Sequence, residues 1–319
     1  MRALLQTSFD GPQDLQVSEV PVPSPGPGEL LVRVTAAGVN FADVMQTRGT
    51  YEGGPTPPYV AGFEAAGEVV ARGPGAGGPE PGTHVIGAGS GAFAEYVVMP
   101  AAAAAPVPDG WTGEQALGLV LNWATALAAL RPLGRLAAGE TVLVHAAAGA
   151  VGQAAVRMAK HYGATVIATA SPAKHEAVRA LGADHVLDYH GDVAAELQRL
   201  GGADLVLESI GGATFRDSLA AAKRITGRVV VFGMAAGEAA ITNRDLNFAH
   251  PVQVMGLHIG VLSEAAPRMF DELLRELAAL RAAGVYPPGQ PTVHDLAEGP
   301  KVLAAVESRA TVGKQALRP

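Results

Sequence analysis

The chain has 319 residues, of which 49% are apolar and 17% charged, with a formal net charge of −7 and no cysteine. The length predicts two domains, and so low a charge content beside so large an apolar share argues against a disordered chain. The missing cysteines exclude disulfides, iron–sulfur clusters, Cys-ligated zinc and a thiol nucleophile, and the acidic balance (pI ≈ 5.7) argues against a nucleic-acid partner.

In chain order, residues 1–8 turn polar too soon for a signal peptide. Glycine (40) and proline (23) are abundant without a Gly-X-Y period, so they read as turns. After a breaker cluster at 21–28 come a β-rich run at 29–34, a weak helical period after Asn40, and strands at 65–71 and 94–98. From Thr112 the texture changes. Residues 115–130 read as a buried helix, followed by apolar strands at 141–145, 165–169, 185–187, 204–208, 228–232 and 252–259. Helical stretches at 151–161, 173–181, 193–200 and 215–222 separate the first five strands. Six short strands joined by crossovers predict an α/β fold with a doubly wound parallel sheet of order 3-2-1-4-5-6. The tail reads as a long helix at 264–283, a short one at 299–308 and a last strand near 313–317. With the sheet already complete, the tail is expected to return to the N-terminal β domain. The uncharged runs 115–130 and 141–156 fall short of the ~20 apolar residues of a spanning helix, so a cytoplasmic protein with no membrane partner is expected.

The first strand of the six runs into Ala146-Ala147-Ala148-Gly149-Ala150-Val151-Gly152, where a helix opens at once. This is a G-x-G-x-x-G-type turn with Ala147 in place of the first glycine. Gly149 would let the backbone approach a pyrophosphate and Gly152 would let helix and strand pack closely. The freed N–H groups and the helix dipole favour an anion. A bare tight connection has the same look, but at the first strand of six the turn predicts a dinucleotide. The second strand ends Thr169-Ala170-Ser171-Pro172-Ala173-Lys174, with no acid to hold a ribose 2′-hydroxyl. Ser171 and Lys174 suit a 2′-phosphate, so NADPH is expected over NADH. The plainer reading of Lys174 is a solvated lysine on a surface helix.

Several segments now carry a resemblance: Gly38-Val39-Asn40-Phe41-Ala42-Asp43, Arg48-Gly49-Thr50-Tyr51, Gly62-Phe63-Glu64-Ala65-Ala66-Gly67 and the glycine turn after His145. Leu187-Asp188-Tyr189, Phe232-Gly233 and Glu307-Ser308-Arg309-Ala310-Thr311-Val312-Gly313-Lys314 complete the set. In this order the chain resembles the zinc-free branch of the medium-chain dehydrogenase/reductase superfamily, the zeta-crystallin-like NADPH:quinone oxidoreductases. The resemblance implies a GroES-like catalytic domain built from both chain ends (1–111 and 262–319), a Rossmann NADPH-binding domain (112–261) and a cleft between them. It places Asn40 near nicotinamide and substrate, Tyr51 in the same cleft, Thr125 on the nicotinamide side, Tyr189 beside the 2′-phosphate and Phe232-Gly233 where the nicotinamide lies. Asp43 is a further polar candidate. Their ordinary readings are a turn residue for Asn40, a helix-start acid for Asp43 and a loop anchor for Tyr51.

Departures from the family pattern matter too. Ala150 replaces the second of two adjacent glycines. Zinc-dependent relatives carry an early Cys ligand and a Gly-His-Glu triplet; here there is no Cys, and Phe63 takes the His position. None of the nine histidines forms H-x-H or H-E-x-x-H, so no metal site is expected. His145 reads as packed rather than reactive, Glu208 receives no role, and the dipole of a helix end explains Arg309. Three activities fit: NADPH:quinone reduction, reduction of an activated alkene such as an enoyl thioester, and an idle NADPH-binding structural protein. The apolar strand expected at 252–259 would end the sheet as an open edge, which predicts a homodimer formed through it.

Overall fold

The last strand of the chain, Gln315–Arg318, pairs antiparallel with Glu29–Val39 near its start, matching Gln315 to Val39 and Ala316 to Gly38. In this computed structural model, which describes residues 1–319, that pairing makes the first unit discontinuous: it comprises Met1–Val120 and Pro288–Pro319. Its larger sheet runs Thr292–Asp295, Gln315–Arg318, Glu29–Val39, Glu64–Arg72, His84–Ala88 and Ala104–Pro106, with Tyr96–Pro100 also on Glu29–Val39. A three-stranded sheet of Leu15–Glu19, Arg2–Gln6 and Tyr59–Val60 completes it. Leu30, Val32, Phe93, Met99, Leu303 and Leu317 fill its core.

The second unit is Leu121–Pro287. Its six parallel strands are Thr141–Val144, Thr165–Ala170, His185–Asp188, Leu205–Glu208, Arg228–Val231 and Gln253–Gly256, in the predicted order 3-2-1-4-5-6. Side chains alternate between two cores, as the pleat requires. Val142 and Val144 join Ala154, Ala155 and Met158 of helix Ala150–His161. Leu143 turns to the other face with Val206, Phe215 and Leu219. The fold is therefore α/β, comprising a Rossmann unit and a GroES-like β unit.

Four expectations change. The helix expected at 264–283 is two helices, Ile259–Ala265 and Pro267–Ala282, parted at a proline that cannot continue the first. Leu273, Leu277 and Leu280 of the second belong to the Rossmann core, so the return to the first unit falls at Pro287/Pro288 and not at residue 262. The other domain boundary lies at Val120/Leu121 instead of after residue 111. Finally, the last Rossmann strand is only Gln253–Gly256. The apolar run continues beyond it, but His258 caps a new helix by accepting the Val261 N–H at 3.2 Å.

The stretch Gly113–Leu133 is long and apolar enough by length and composition to cross a membrane, and 56% of an apolar 18-residue window within it is buried in the structure. Ala124 and the five residues from Ala126 to Leu130 have no exposure, so core packing accounts for its apolarity.

Candidate active site

In the Rossmann unit the strand Thr141–Val144 passes through the turn of residues 145–149 into helix Ala150–His161. Ala146 takes a left-handed φ of 48°, a strained conformation for a residue with a Cβ. Gly149 itself does not need positive φ; it caps the helix at φ −80° with no side chain over the helix N-terminus. Gly152 is required by space. A Cβ there would lie 2.4 Å from Ala146 O and 2.6 Å from Ala147 Cα, both backbone. The turn of Ala148, Gly149, Ala150, Val151 and Gly152 thus leaves a helix N-terminus bare of side chains, a fit for pyrophosphate.

Ser171 and Tyr189 leave neighbouring strands at one level, since Ala170 pairs with Asp188. Ser171 opens the turn Pro172–Lys174, and partial burial pushes the Lys174 ammonium below its ordinary value. Tyr189 is exposed and lies against His190, ring centroids 4.1 Å apart. These three fit a 2′-phosphate at the carboxyl end of the sheet. Phe232-Gly233 follows the fifth strand, and a Cβ on Gly233 would sit 2.6 Å from Ser209 O. Thr125 spends its hydroxyl proton on Leu121 O at 2.7 Å, leaving acceptor capacity only.

Beneath these strand ends lies a buried polar network. Ser218 donates to Glu208, His145 Nε2 meets Ser218 Oγ at 3.0 Å, and His145 Nδ1 meets Thr169 Oγ1 at 3.1 Å. Burial holds the His145 imidazole below its ordinary pKa, so it packs as a neutral ring. Glu208 also accepts the Ile210 and Gly211 N–H groups at 2.5 and 2.9 Å, a structural task the sequence pattern did not assign.

In the first unit, Asn40 caps helix Phe41–Thr47 in a capping box, and the Asn40 N–H donates to Asp43 Oδ2 at 2.7 Å. The Asn40 amide Nδ2 donates to Gly38 O at 3.1 Å and Glu64 Oε2 at 3.0 Å, while its Oδ1 accepts from Lys314 Nζ at 2.7 Å. Both amide hydrogens are committed inside the chain. Sequence reasoning passed over Glu64 and Lys314. The signal available was a carboxylate set among Gly62, Ala65, Ala66 and Gly67, where only a partnered charge would be buried.

Asp43 is buried, its Oδ1 has no hydrogen-bond partner, and burial pushes its carboxyl up to about 8 against the opposing pull of the Asn40 N–H and of Lys314. Tyr51, half-buried in the loop after the helix, has its phenol raised by burial and then by the Asp43 charge, so it keeps its proton. The Asp43 shift sets a pH dependence. The folded chain keeps a proton that an unfolded Asp releases near 3.8. The associated stability is complete below that pH and is lost as pH rises to about 8, at ~1.4 kcal/mol per pH unit. Asp43→Asn keeps an acceptor for Asn40 and removes the titration. Its melting temperature is expected to fall less than the wild type's across this window, and equal slopes would contradict the assignment.

A cavity of about 230 Å³ in the same unit is lined by Gln46, Tyr59 and Phe63 among others. It is smaller than the roughly 300–1,000 Å³ of ligand pockets and is not by itself a substrate site.

Comparison with known proteins bears on this arrangement. Residues 26–109 match the alcohol dehydrogenase GroES-like domain and residues 150–279 the zinc-binding dehydrogenase family. The synaptic vesicle membrane protein VAT-1 homolog of Mus musculus is 32% identical over 343 residues, covering 100% of this chain and 84% of the relative. A mycobacterial structure complexed with NADPH superposes with a TM-score of 0.94 at 32% identity, covering 100% of both chains. The Escherichia coli quinone oxidoreductase complexed with NADPH gives 0.92 at 29% identity, again over 100% of both. With a GroES-like unit, a six-stranded Rossmann unit and Phe63 in place of a zinc-ligating histidine, the chain belongs to the medium-chain dehydrogenase/reductase family of oxidoreductases, in its zinc-free, quinone-oxidoreductase branch.

Proposed function

We propose that the chain is an NADPH-dependent reductase that passes a hydride to a quinone without a metal ion. The observation that carries this reading is the end of the second Rossmann strand, where Ser171 and Tyr189 leave neighbouring strands at one level, Lys174 follows in the next turn, and no acid stands to receive a ribose 2′-hydroxyl. NADPH, when bound, supplies the hydride. The chain's task is to bind and orient. The helix N-terminus at Gly149 takes the pyrophosphate and Lys174 the 2′-phosphate, while Phe232-Gly233 and Thr125 support the nicotinamide side. Asn40, held by Asp43 through its backbone, positions the reacting groups. A quinone becomes a phenolate-like anion stable enough to take its proton from water. Tyr51, a phenol in the loop after helix Phe41–Thr47, supports a second reading: an enoyl thioester yields an enolate that needs an acid at its α-carbon. Steady-state NADPH oxidation with 9,10-phenanthrenequinone against crotonyl-CoA separates the two. Preference for the quinone is expected, and preference for crotonyl-CoA would establish the second.

Lys174→Ala tests the cofactor assignment. A charge-assisted bond of about 1.5–3 kcal/mol corresponds to roughly ten- to a hundredfold in affinity. NADPH binding should weaken by that factor while NADH binding changes little; equal weakening of both would sink the assignment.

We also propose a homodimer formed through the strand Gln253–Gly256, which pairs only with Arg228–Val231 and leaves its other edge open. Ile225 and Phe248, 69% and 72% exposed, stand in the flanking segments. Light scattering should give twice the 32.4 kDa chain mass at micromolar concentration, and a monomer there would refute the dimer.

A further inference from the structure

Glu64 and Lys314, the pair that grips the Asn40 amide, have no part in the reading above. They stand 250 residues apart in sequence and 2.5 Å apart in space, Lys314 Nζ to Glu64 Oε2. The pairing of Gln315–Arg318 with Glu29–Val39 brings Lys314 to the end of that strand, next to Asn40. The side chains are 1% exposed for Glu64 and 10% for Lys314. Glu64 Oε1 is used as well, accepting the Gly118 N–H at 2.6 Å. Gly38 makes the room: a Cβ there would lie 2.4 Å from Glu64 Oε2 and 2.8 Å from Lys314 Cε.

A buried ion pair is poor evidence of stabilisation, because desolvation offsets the attraction and an apolar replacement is often as stable. Its effect on Asn40 is specific. A carboxamide has two nearly isosteric orientations that exchange oxygen and nitrogen. Here the ammonium faces Oδ1 and the carboxylate faces Nδ2. Turned over, the amide would set its NH₂ against the ammonium and its carbonyl against the carboxylate, two repulsive contacts in a low-dielectric site. The ion pair therefore selects one orientation, and it draws both amide hydrogens inward. Asn40 has no side-chain N–H left for a substrate oxygen, so its part is orientation.

Building on the functional reading above, we propose that Lys314 and Glu64 are positioning residues that lock the Asn40 side chain in the single amide orientation used in hydride transfer. Two readouts test this. The first needs neither cofactor nor substrate: the Asn40 side-chain amide signal in heteronuclear NMR, identified by its loss in Asn40→Ala. It should exchange slowly with solvent in the wild type and in Lys314→Arg, and quickly in Lys314→Met. Because Lys314→Met leaves Glu64 buried and unpaired, the neutral double variant Glu64→Gln/Lys314→Met is measured beside it, and the same fast exchange is expected.

The second is a double-mutant cycle on NADPH–quinone turnover. Lys314→Met should lower kcat roughly 10- to 100-fold with little change in quinone KM, Lys314→Arg should restore most of the loss, and in the Asn40→Ala background Lys314→Met should cost nothing further. A loss that persists in that background, or an amide signal that ignores the substitutions, overturns the proposal. A wild-type chain that oxidises no NADPH with either acceptor contradicts the functional reading instead, and the NMR readout still decides the clamp.

Discussion

Gly152→Ala is expected to weaken NADPH binding by roughly 10- to 100-fold. The new methyl group would enter at 2.4 Å from Ala146 O and 2.6 Å from Ala147 Cα, and backbone cannot swing aside as a side chain does. Overpacking of this kind costs about 1–3 kcal/mol, a tenfold loss for each 1.4 kcal/mol. The strain falls on the turn that already holds Ala146 at φ 48°, so the helix N-terminus is displaced from the place proposed for a pyrophosphate. Gly149→Ala is the control. Its Cβ would have one neighbour, Ala146 O at 3.3 Å, and its φ suits any residue, so a much smaller loss is expected. Fluorescence titration with NADPH, on variants shown by circular dichroism to be folded, compares the two. Equal affinities would remove the turn from the cofactor site.

Asn40→Ala should lower kcat/KM by ~10-fold or more with either acceptor, since a group that orients the reactants serves both chemistries. It also removes the shared partner of Lys314 and Glu64, so a drop in melting temperature accompanies the kinetic loss. Tyr51→Phe behaves differently. It should reduce enoyl-thioester turnover by about 10²–10⁴-fold, the usual contribution of a placed acid, and quinone turnover by much less. An unchanged quinone kcat/KM in Asn40→Ala would show that the active site lies elsewhere.

What was legible in the sequence follows from how local each signal is. The Rossmann strands and their order could be read because parallel strands are short apolar runs with helices between them, and the crossover rule leaves few arrangements. The position of helix Pro267–Ala282 could not. An amphipathic stripe states that one face is buried but not against what, and Leu273, Leu277 and Leu280 would serve either core. The last strand came out shorter than its apolar run for a related reason: hydrophobicity marks burial, whereas the Gln253–Gly256 strand ends where His258 starts a helix.

The site divides in the same way. Gly149, Gly152, Ser171 and Lys174 lie within one stretch of chain, and their spacing carries their chemistry. Asp43 was visible as a helix-start acid, but the burial that raises its pKa was not. The grip of Glu64 and Lys314 on Asn40 depends on contacts spanning 24 and 274 residues of sequence. Only the pairing of the last strand with Glu29–Val39 reveals it.

Hydride transfer from NADPH to a quinone by this chain is open to test in a single turnover. The protein is mixed anaerobically with one equivalent of NADPH and then with excess 9,10-phenanthrenequinone, while the absorbance of the reduced nicotinamide is followed. Complete loss of that absorbance in one phase is expected, slowed ~10-fold or more in Asn40→Ala. Retention of the absorbance by a protein that demonstrably holds NADPH would contradict the transfer.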